Sequence, residues 1–136
     1  MIHDQVGVIP WRRCNNSIEI LLITSRSTGR WIVPKGWCED GLTPAEAAAR
    51  EGFEEAGVQG KIASEPLGVY EYIRGQTKFR VTLYPLEVVM IWDTWPEHSE
   101  RRRRWTPVER LDAFVKNPTL LEVLRMLRPA LERAAR

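Results

Sequence analysis

The chain has 136 residues, a formal net charge of +2 and two cysteines, so we expect one domain over residues 1–136 that needs no disulfide framework. No apolar run approaches the roughly 20 residues that span a bilayer, and the N-terminus lacks a signal-peptide pattern, which predicts a cytoplasmic protein with no membrane partner. Sixteen arginines against four lysines suit contact with phosphate, although a genome rich in G and C would give the same bias.

The first part of the chain is predicted to form strands. Residues 5–11 and 18–25 have strand-like patterns, and the second stretch is an almost continuous apolar run, which is typical of a strand buried on both faces. An Asn-Asn pair between them predicts a turn. Residues 31–33 predict a third, short strand that leads into a loop containing Gly36.

A helix is predicted next, and both of its ends are marked. Thr43 is the expected N-cap, Pro44 fits the first helical position, and Glu46 completes a Thr-x-x-Glu capping box. Gly57 predicts a left-handed stop at the other end. One side of the helix carries only small residues, so its backbone can pack closely on a sheet; these residues are Ala45, Ala48, Ala49, Gly52 and Ala56.

The opposite side of this helix carries three carboxylates. At 3.6 residues per turn, Glu51, Glu54 and Glu55 project from one side of the helix. Their mutual repulsion would destabilise an empty helix, and Arg50 offsets only part of it because it lies four residues before Glu54. Such a cluster predicts a bound cation, and oxygen ligands favour Mg²⁺ or Mn²⁺. The alternative is a solvated acidic surface helix.

The rest of the chain predicts two strands followed by helices. Residues 67–72 and 80–90 predict a hairpin around a Gly-Gln turn. A second Thr-x-x-Glu capping box begins at Thr106, and Asn117 begins a last helix that Pro129 should kink or shorten. Strands clustered around a central helix, with helices at the end, indicate an α/β sandwich.

The glycine loop and the carboxylate helix together match a known signature. Gly36, followed after thirteen residues by the sequence REGFEEAGV at residues 50–58, resembles the Nudix hydrolase signature with no insertion or deletion. Two positions depart from it. Leu42 stands where the family has its first Glu, and Gly52 replaces a bulkier apolar residue.

The departure at Leu42 has local substitutes. In the family the first Glu supports the loop and the signature arginine, which here is Arg50. Glu39 or Asp40 can reach Arg50 instead. Leu42 itself can pack on the first helical turn as a hydrophobic staple toward Ala47. We therefore expect the departure to affect the rate of the reaction and not its type.

The resemblance implies a fold, a metal and roles for the signature residues. The fold would be the Nudix fold, an α/β/α sandwich with a mixed β-sheet between helices. Glu51, Glu55 and the backbone carbonyl of Gly36 would bind Mg²⁺ or Mn²⁺. Glu54 and Arg50 would be catalytic, with Glu54 as the general base. In other branches the base and ligand roles are exchanged, and a more distant Glu contributes; the candidates here are Glu71, Glu97 and Glu100.

Short matches outside the signature resemble the branch that hydrolyses diphosphoinositol polyphosphates and diadenosine polyphosphates. They are TSR at residues 24–26, RWIVP at 30–34, WPE at 95–97 and RRRRW at 101–105. Basic residues at these positions grip the polyphosphate in that branch, which implies substrate contacts for Arg26, Lys35, Arg101 and Arg103. If the arginine run is extended, alternate side chains face opposite ways, so at most two can reach one ligand.

Two more residues complete the predicted substrate site. A further substrate arginine is expected where Arg74 and Arg80 lie, and we assign Arg80 to substrate binding. Trp37 lies in the glycine loop, where its ring can stack on an adenine. The arginine run also fits a solvated, aggregation-blocking edge. It is a weak nucleic-acid signal, so we expect no nucleic acid partner.

The sequence therefore predicts a metal-dependent hydrolase of phosphoanhydride bonds whose partner is a small polyphosphate or nucleotide substrate. The expected substrates are diadenosine or diphosphoinositol polyphosphates. One alternative is a Nudix enzyme for another nucleotide, such as a modified nucleoside triphosphate or ADP-ribose. Another is a catalytically weak Nudix-fold protein that binds its ligand. The assembly is left open between a monomer and a homodimer.

Overall fold

The computed structural model describes residues 1–135, in which eight strands and four α-helices are found. The strands are β1 (Ile2–Cys14), β2 (Ser17–Thr24), β3 (Trp31–Ile32), β4 (Lys35–Gly36), β5 (Val58–Ile62), β6 (Gly68–Arg74), β7 (Thr77–Ile91) and β8 (Arg103–Pro107). The helices are α1 (Pro44–Ala56), α2 (Leu111–Phe114), α3 (Pro118–Arg125) and α4 (Leu127–Ala134), and a 3-10 helix, Val108–Arg110, precedes α2. No helix within residues 1–135 is both long and apolar enough to cross a membrane.

The strands form one mixed sheet. Its central order is β3-β2-β1-β7-β5, while β4 also pairs with β1, β6 with β7 and β8 with β2. Among the strands of residues 1–135, only the pair of β1 and β7 is parallel, in a register that runs from Ile2 opposite Lys78 to Trp11 opposite Glu87. The other pairs are antiparallel. The long β1 and β7 strands are therefore the framework on which the shorter strands are placed.

Hydrophobic side chains cover both faces of this sheet. In β2, Ile20 and Leu22 belong to one buried cluster, while Leu21 and Ile23 belong to another. The first cluster includes residues of α2, α3 and α4, and the second includes residues of α1. The sheet thus lies between helices, which confirms the predicted α/β/α sandwich and explains the continuous apolar run in β2.

The ends of α1 form as its sequence predicts. Thr43 and Glu46 make the complete capping box, with Pro44 in the first turn. Gly57 adopts the left-handed conformation at φ 67° and ψ 32°, which glycine reaches without the cost of a Cβ. A Cβ added at Gly52 would lie 3.1 Å from Val8 of β1. The small residue that departs from the signature therefore lets α1 lie close to the sheet.

The hairpin prediction is confirmed, whereas one helix prediction needs correction. Thr106 does not cap a helix: it is buried in β8, where it pairs with Ile20, and the 3-10 helix after Pro107 has no side-chain cap. The last helix starts at the Asn117 cap and is interrupted at Met126, before Pro129, as the proline predicts. A proline ring clashes with the carbonyl four residues earlier, so the break belongs on its N-terminal side.

Candidate active site

A cavity of about 550 Å³ opens beside α1, β4 and the hairpin of β6 and β7. Two carboxyl groups of α1 lie in its wall, and basic and aromatic side chains surround them. The lining includes Gln5, Arg26, Lys35, Gly36, Trp37, Glu39, Glu51, Glu55, Tyr72, Arg74, Phe79, Glu97 and Arg101. The cavity therefore combines acidic, basic and aromatic side chains.

Glu55 is the most enclosed acid of the cavity, with 7% of its surface exposed. Its Oε1 accepts a hydrogen bond from the backbone N–H of Lys35 at 3.2 Å and lies 3.5 Å from the Arg101 guanidinium. Burial raises the pKa of Glu55 to about 8, against the opposing attraction of Arg101. Without a cation, this carboxyl group thus holds a proton to an unusually high pH.

Glu51 lies beside Glu55 and directly against the backbone of Gly36. Burial also raises the pKa of Glu51, and the two carboxyl groups are close enough to hydrogen-bond to each other. A Cβ added at Gly36 would overlap the Glu51 carboxylate. A side chain at residue 36 would therefore displace the Glu51 carboxylate from this position.

Glu54 points elsewhere, although it is next to Glu55 in sequence. Its carboxylate accepts a hydrogen bond from Arg50 Nε at 2.9 Å, and Glu54 is not part of the cavity lining. Arg50 also donates to Glu39 Oε2 at 2.9 Å. Glu39 thus supplies the acidic partner of Arg50 that the signature position of Leu42 lacks. Leu42 packs instead against the hydrophobic cluster between α1 and the sheet.

The donor set suits a hard divalent cation. Among residues 1–135 no three His, Cys, Asp or Glu side chains form a ready cluster for a metal ion. The structure brings together the paired carboxyls of Glu51 and Glu55, which lie next to the backbone of Gly36. Two partly buried carboxylates repel each other when both are ionised, and a cation with oxygen ligands would remove that cost.

Three of the basic residues assigned to the substrate do line the cavity. Arg26 bonds Glu100 at 3.2 Å on the exposed rim. Arg101 is almost fully buried and bonds Glu97 at 2.9 Å and the backbone carbonyl of Thr24 at 3.0 Å. Burial disfavours the charged form of the Lys35 ammonium and lowers its pKa. Arg26 is therefore the most accessible of the three, whereas Arg101 is held by protein groups.

Arg80 and Arg103 lie outside the lining of this cavity. Arg80 pairs with Asp4 at 3.2 Å. Arg103 donates to the carbonyls of Ala56 and Trp92 at 3.0 and 2.8 Å. Both guanidinium groups are thus engaged with the protein, and the function that we propose below assigns neither to the substrate.

The arginine run alternates as predicted, since successive guanidinium groups contact different sides of the sheet. Arg101 and Arg103 contact Glu55 and Ala56 of α1. Arg102 lies over the ring of Trp31, and Arg104 over the ring of Phe114 at 3.9 Å. Only one member of the run, Arg101, lines the cavity. Because the four arginines are divided between the two faces of the sheet, only one of them is placed to contact a ligand in this cavity.

Aromatic rings form another part of the cavity wall. Trp37 is 52% exposed and its ring lies 6.0 Å from that of Phe79. Phe79 stacks on Tyr72 at 4.7 Å, and the Tyr72 hydroxyl donates to Gln5 at 2.8 Å. No motif marks Gln5, Tyr72 or Phe79 in the sequence. Tyr72 and Phe79 pair across the hairpin, so counting residues outward from the Gly-Gln turn would have predicted that these two lie side by side.

The fold and the sequence resemble those of known proteins. A binary complex of an Ap4A hydrolase from C. elegans has the same fold, with a TM-score of 0.76 at 22% identity over 96% of this chain and 98% of that chain. Nudix hydrolase 16, mitochondrial, of Arabidopsis thaliana is 35% identical over 136 residues, or 87% of this chain and 75% of that protein.

Other relatives extend well beyond the match. The chain is 36% identical to Nudix hydrolase 13, mitochondrial, of Arabidopsis thaliana over 69% of its residues and spans 52% of that protein's length. It is 40% identical to human diphosphoinositol polyphosphate phosphohydrolase 3-beta over 71% of its residues and spans 60% of that protein. The NUDIX domain family matches residues 1–127. The chain therefore belongs to the Nudix domain family.

Proposed function

We propose that this protein is a metal-dependent hydrolase of phosphoanhydride bonds in diadenosine or diphosphoinositol polyphosphates. One observation carries the proposal: the carboxyls of Glu51 and Glu55 converge beside Gly36 in a cavity whose other walls are basic and aromatic. Membership of the Nudix domain family supports the reaction. The similarity to a diphosphoinositol polyphosphate phosphohydrolase and to an Ap4A hydrolase supports the substrate classes.

Glu51, Glu55 and the Gly36 carbonyl are the groups that would hold Mg²⁺ or Mn²⁺. Such an ion would neutralise negative charge on the phosphate oxygens as the bond to the leaving group breaks. Hard oxygen donors favour these ions over softer metals. Arg101, which Glu97 and the Thr24 carbonyl hold beside Glu55, would contribute positive charge to the wall of the cavity. Arg26 and Lys35 would add further positive charge along the polyphosphate.

The general base is assigned to Glu54, which must accept a proton from the attacking water. Its carboxylate bonds Arg50, so catalysis by Glu54 requires its side chain to turn toward the cavity. The alternative base is Glu97, which lines the cavity already but is engaged with Arg101. A water positioned between the carboxylate and the phosphorus would be the nucleophile in either case.

A substrate panel tests this proposal. Purified protein would be incubated with Mg²⁺ or Mn²⁺ and diadenosine polyphosphates, a diphosphoinositol phosphate, ADP-ribose and nucleoside triphosphates, and the released products would be measured. We expect metal-dependent turnover that is fastest with the first two classes. Faster turnover of ADP-ribose or a nucleoside triphosphate would replace the substrate assignment, and no metal-dependent turnover of any compound would contradict the activity itself.

Three further parts of the proposal concern the surroundings of the protein. A cytoplasmic location is supported by the sequence features described first, and fractionation of cells that express the protein would test it. The absence of a nucleic acid partner rests on the weak signal of the arginine run. A homodimer, as opposed to a monomer, is a prediction for sedimentation measurements.

A further inference from the structure

Tyr72 of β6 lies among several side chains in the wall of the active-site cavity. The Lys35 ammonium lies over the Tyr72 ring, 4.5 Å from its centroid. Phe79 of β7 stacks on the same ring, with the two centroids 4.7 Å apart and an angle of 5° between the planes. All three residues line the cavity. The ring is therefore next to a cation and to a second ring at the place where the substrate is expected to bind.

Two contacts fix the orientation of the Tyr72 ring. Its hydroxyl donates a hydrogen bond to Gln5 Oε1 at 2.8 Å, and Gln5 is itself a buried residue of β1. Phe79, which stacks on the ring, lies directly opposite Tyr72 across the hairpin. A tyrosine side chain has only two χ angles, so a hydrogen bond at its tip and a ring stacked on its plane hold it in one orientation. Tyr72 is therefore a rigid support.

Lys35 is a partly buried cation that no acid holds in place. Among residues 1–135, no carboxylate oxygen lies within 4.0 Å of its ammonium. A lysine side chain is a flexible four-carbon stem, so an unpaired one occupies many conformations. An aromatic ring attracts a cation to its face. The Tyr72 ring therefore favours the conformations of Lys35 in which the charge stays at the cavity wall.

We propose that Tyr72 is a positioning residue for the reaction: its ring holds the Lys35 ammonium where that charge contacts the substrate, while Gln5 and Phe79 support the ring. This inference rests on the proposed function, in which Lys35 adds positive charge along the polyphosphate. A charge that is already in place when the substrate arrives lowers the entropy cost of binding. Tyr72 therefore acts on substrate affinity through Lys35.

Arg74 provides a comparison, because it lies near the same ring. Its guanidinium carbon is 5.9 Å from the centroid of the Tyr72 ring, whereas the Lys35 ammonium is 4.5 Å from it. The attraction between a cation and a ring is significant only within about 6 Å, so Arg74 lies at the limit of this interaction. We therefore assign Lys35, and not Arg74, as the residue that Tyr72 positions.

NMR of the full chain with labelled lysines tests the geometry without substrate or metal. Protons that are held over an aromatic ring resonate upfield of their ordinary position. The Lys35 methylene protons next to the ammonium should therefore be shifted upfield in the parent. The shift should be smaller in Tyr72→Phe, which keeps the ring but loses the bond to Gln5, and absent in Tyr72→Leu. An ordinary position of the Lys35 resonance in the parent would overturn the proposal.

Phe114→Leu is the matched control for Tyr72→Leu. Phe114 and Tyr72 are both partly buried and pack against the same hydrophobic cluster. A guanidinium, that of Arg104, lies over the Phe114 ring at 3.9 Å, but Phe114 is outside the cavity lining. Phe114→Leu should therefore leave the Lys35 resonance and KM at the parent's values. Urea unfolding of both variants measures how much stability each loses.

Steady-state kinetics with diadenosine tetraphosphate and Mg²⁺ test the role in binding. Tyr72→Leu and Lys35→Gln should each raise KM about fivefold and leave kcat within about twofold, as expected for an interaction of equal strength in the ground and transition states. Tyr72→Leu made in the Lys35→Gln protein should raise KM no further, because the charge that the ring positions is gone. Made in an Arg74→Gln protein, it should still raise KM about fivefold.

The comparison between backgrounds separates positioning from the alternatives. If Tyr72→Leu raises KM equally with and without Lys35, the ring acts on the substrate itself or through folding, and the proposal is overturned. If the parent hydrolyses no compound, the proposed function fails. The position of the Lys35 resonance then still decides whether Tyr72 holds the ammonium.

Discussion

At the scale of single residues, Glu55 illustrates how position alters a common side chain. The Glu55 carboxyl is buried between the Lys35 backbone and the Arg101 guanidinium, and it lies next to a second acid, Glu51. Each of these groups changes the cost of ionising Glu55, and burial contributes most. A cation would reverse that balance, because it favours the ionised form of both acids.

The raised pKa of Glu55 predicts how the stability of the metal-free protein depends on pH. This pKa is about 8 in the folded state against an ordinary 4.5, so the folded state binds this proton more tightly than the unfolded state. The stabilisation is complete below the unfolded value and is lost as the pH rises through about 8. Urea unfolding in a chelator should therefore give a free energy of unfolding that falls between pH 5.5 and 8.

Glu55→Gln is the variant that attributes this trend. Its amide does not titrate, so the fall in the free energy of unfolding with rising pH should be shallower than in the parent. Glu122→Gln changes an exposed glutamate of α3 and should keep the parent's slope. A parent protein that becomes more stable across this pH range would show that Glu55 is not the dominant group.

Glu54→Gln tests the base assignment. The variant should lower kcat by about 100-fold or more, because it removes the group that accepts the proton from water. It also removes one partner of Arg50, so Glu39→Gln, which removes the other partner, serves as the comparison. If Glu54 is the base, Glu39→Gln should lower kcat much less than Glu54→Gln does. Similar losses in both would mean that the effect acts through Arg50, and full activity of Glu54→Gln would exclude it as the base.

The sequence could predict that Glu51, Glu55 and Gly36 lie together because their spacing along a helix and loop is local. It could not reveal that Arg103 binds backbone carbonyls and that Glu54 turns to Arg50. Those outcomes depend on groups that are distant in sequence, such as the carbonyls of Ala56 and Trp92. The sequence could therefore identify basic residues as candidates from their charge, but the groups that they contact are known only from the structure.

At the scale of elements, the C-terminus of α1 is secured by three different groups. Gly57 provides the left-handed turn, Trp95 donates to the Glu55 carbonyl at 3.0 Å, and Arg103 donates to the Ala56 carbonyl. The Arg103 guanidinium also stacks on the Trp95 ring at 3.8 Å. Because Glu55 lies in this last turn, these contacts fix the position of an active-site carboxyl.

Arg103→Gln should therefore lower stability and leave substrate affinity intact. Losing the contacts with two carbonyls and one ring should reduce the free energy of unfolding by about 1–3 kcal/mol. Urea unfolding measures this loss, and Arg110→Gln, at an exposed arginine of the 3-10 helix, is the control. KM for diadenosine tetraphosphate should stay near the parent's value. A large rise in KM without loss of stability would return Arg103 to the substrate site.

Element predictions succeeded where the signal was local and failed where pairing decided the outcome. The capping box at Thr43 and the cap at Asn117 formed as their sequences predict. The same kind of motif at Thr106 did not, because that residue pairs with Ile20 in the sheet. The burial of β2 could be predicted from its sequence alone, because a strand that is buried on both faces is apolar at nearly every position.

At the scale of the whole molecule, the parallel pair of β1 and β7 brings the two halves of the site together. β1 pairs with β4 and its glycine loop, while β7 carries the hairpin partner β6 with its aromatic residues. α1 packs against the face of the same sheet with its carboxyl side at the loop. The sandwich could be predicted from the signature, but the cavity walls required the register of these strands.

The most direct test of the proposed site measures hydrolysis of diadenosine tetraphosphate at increasing Mg²⁺ concentrations. The parent protein should require Mg²⁺, and Glu51→Gln should lose about 100-fold or more of its rate at the same Mg²⁺ concentration, because a metal ligand is lost. Glu122→Gln should match the parent. Turnover by the parent that does not depend on a divalent metal, or a parental rate in Glu51→Gln, would contradict the metal site at α1.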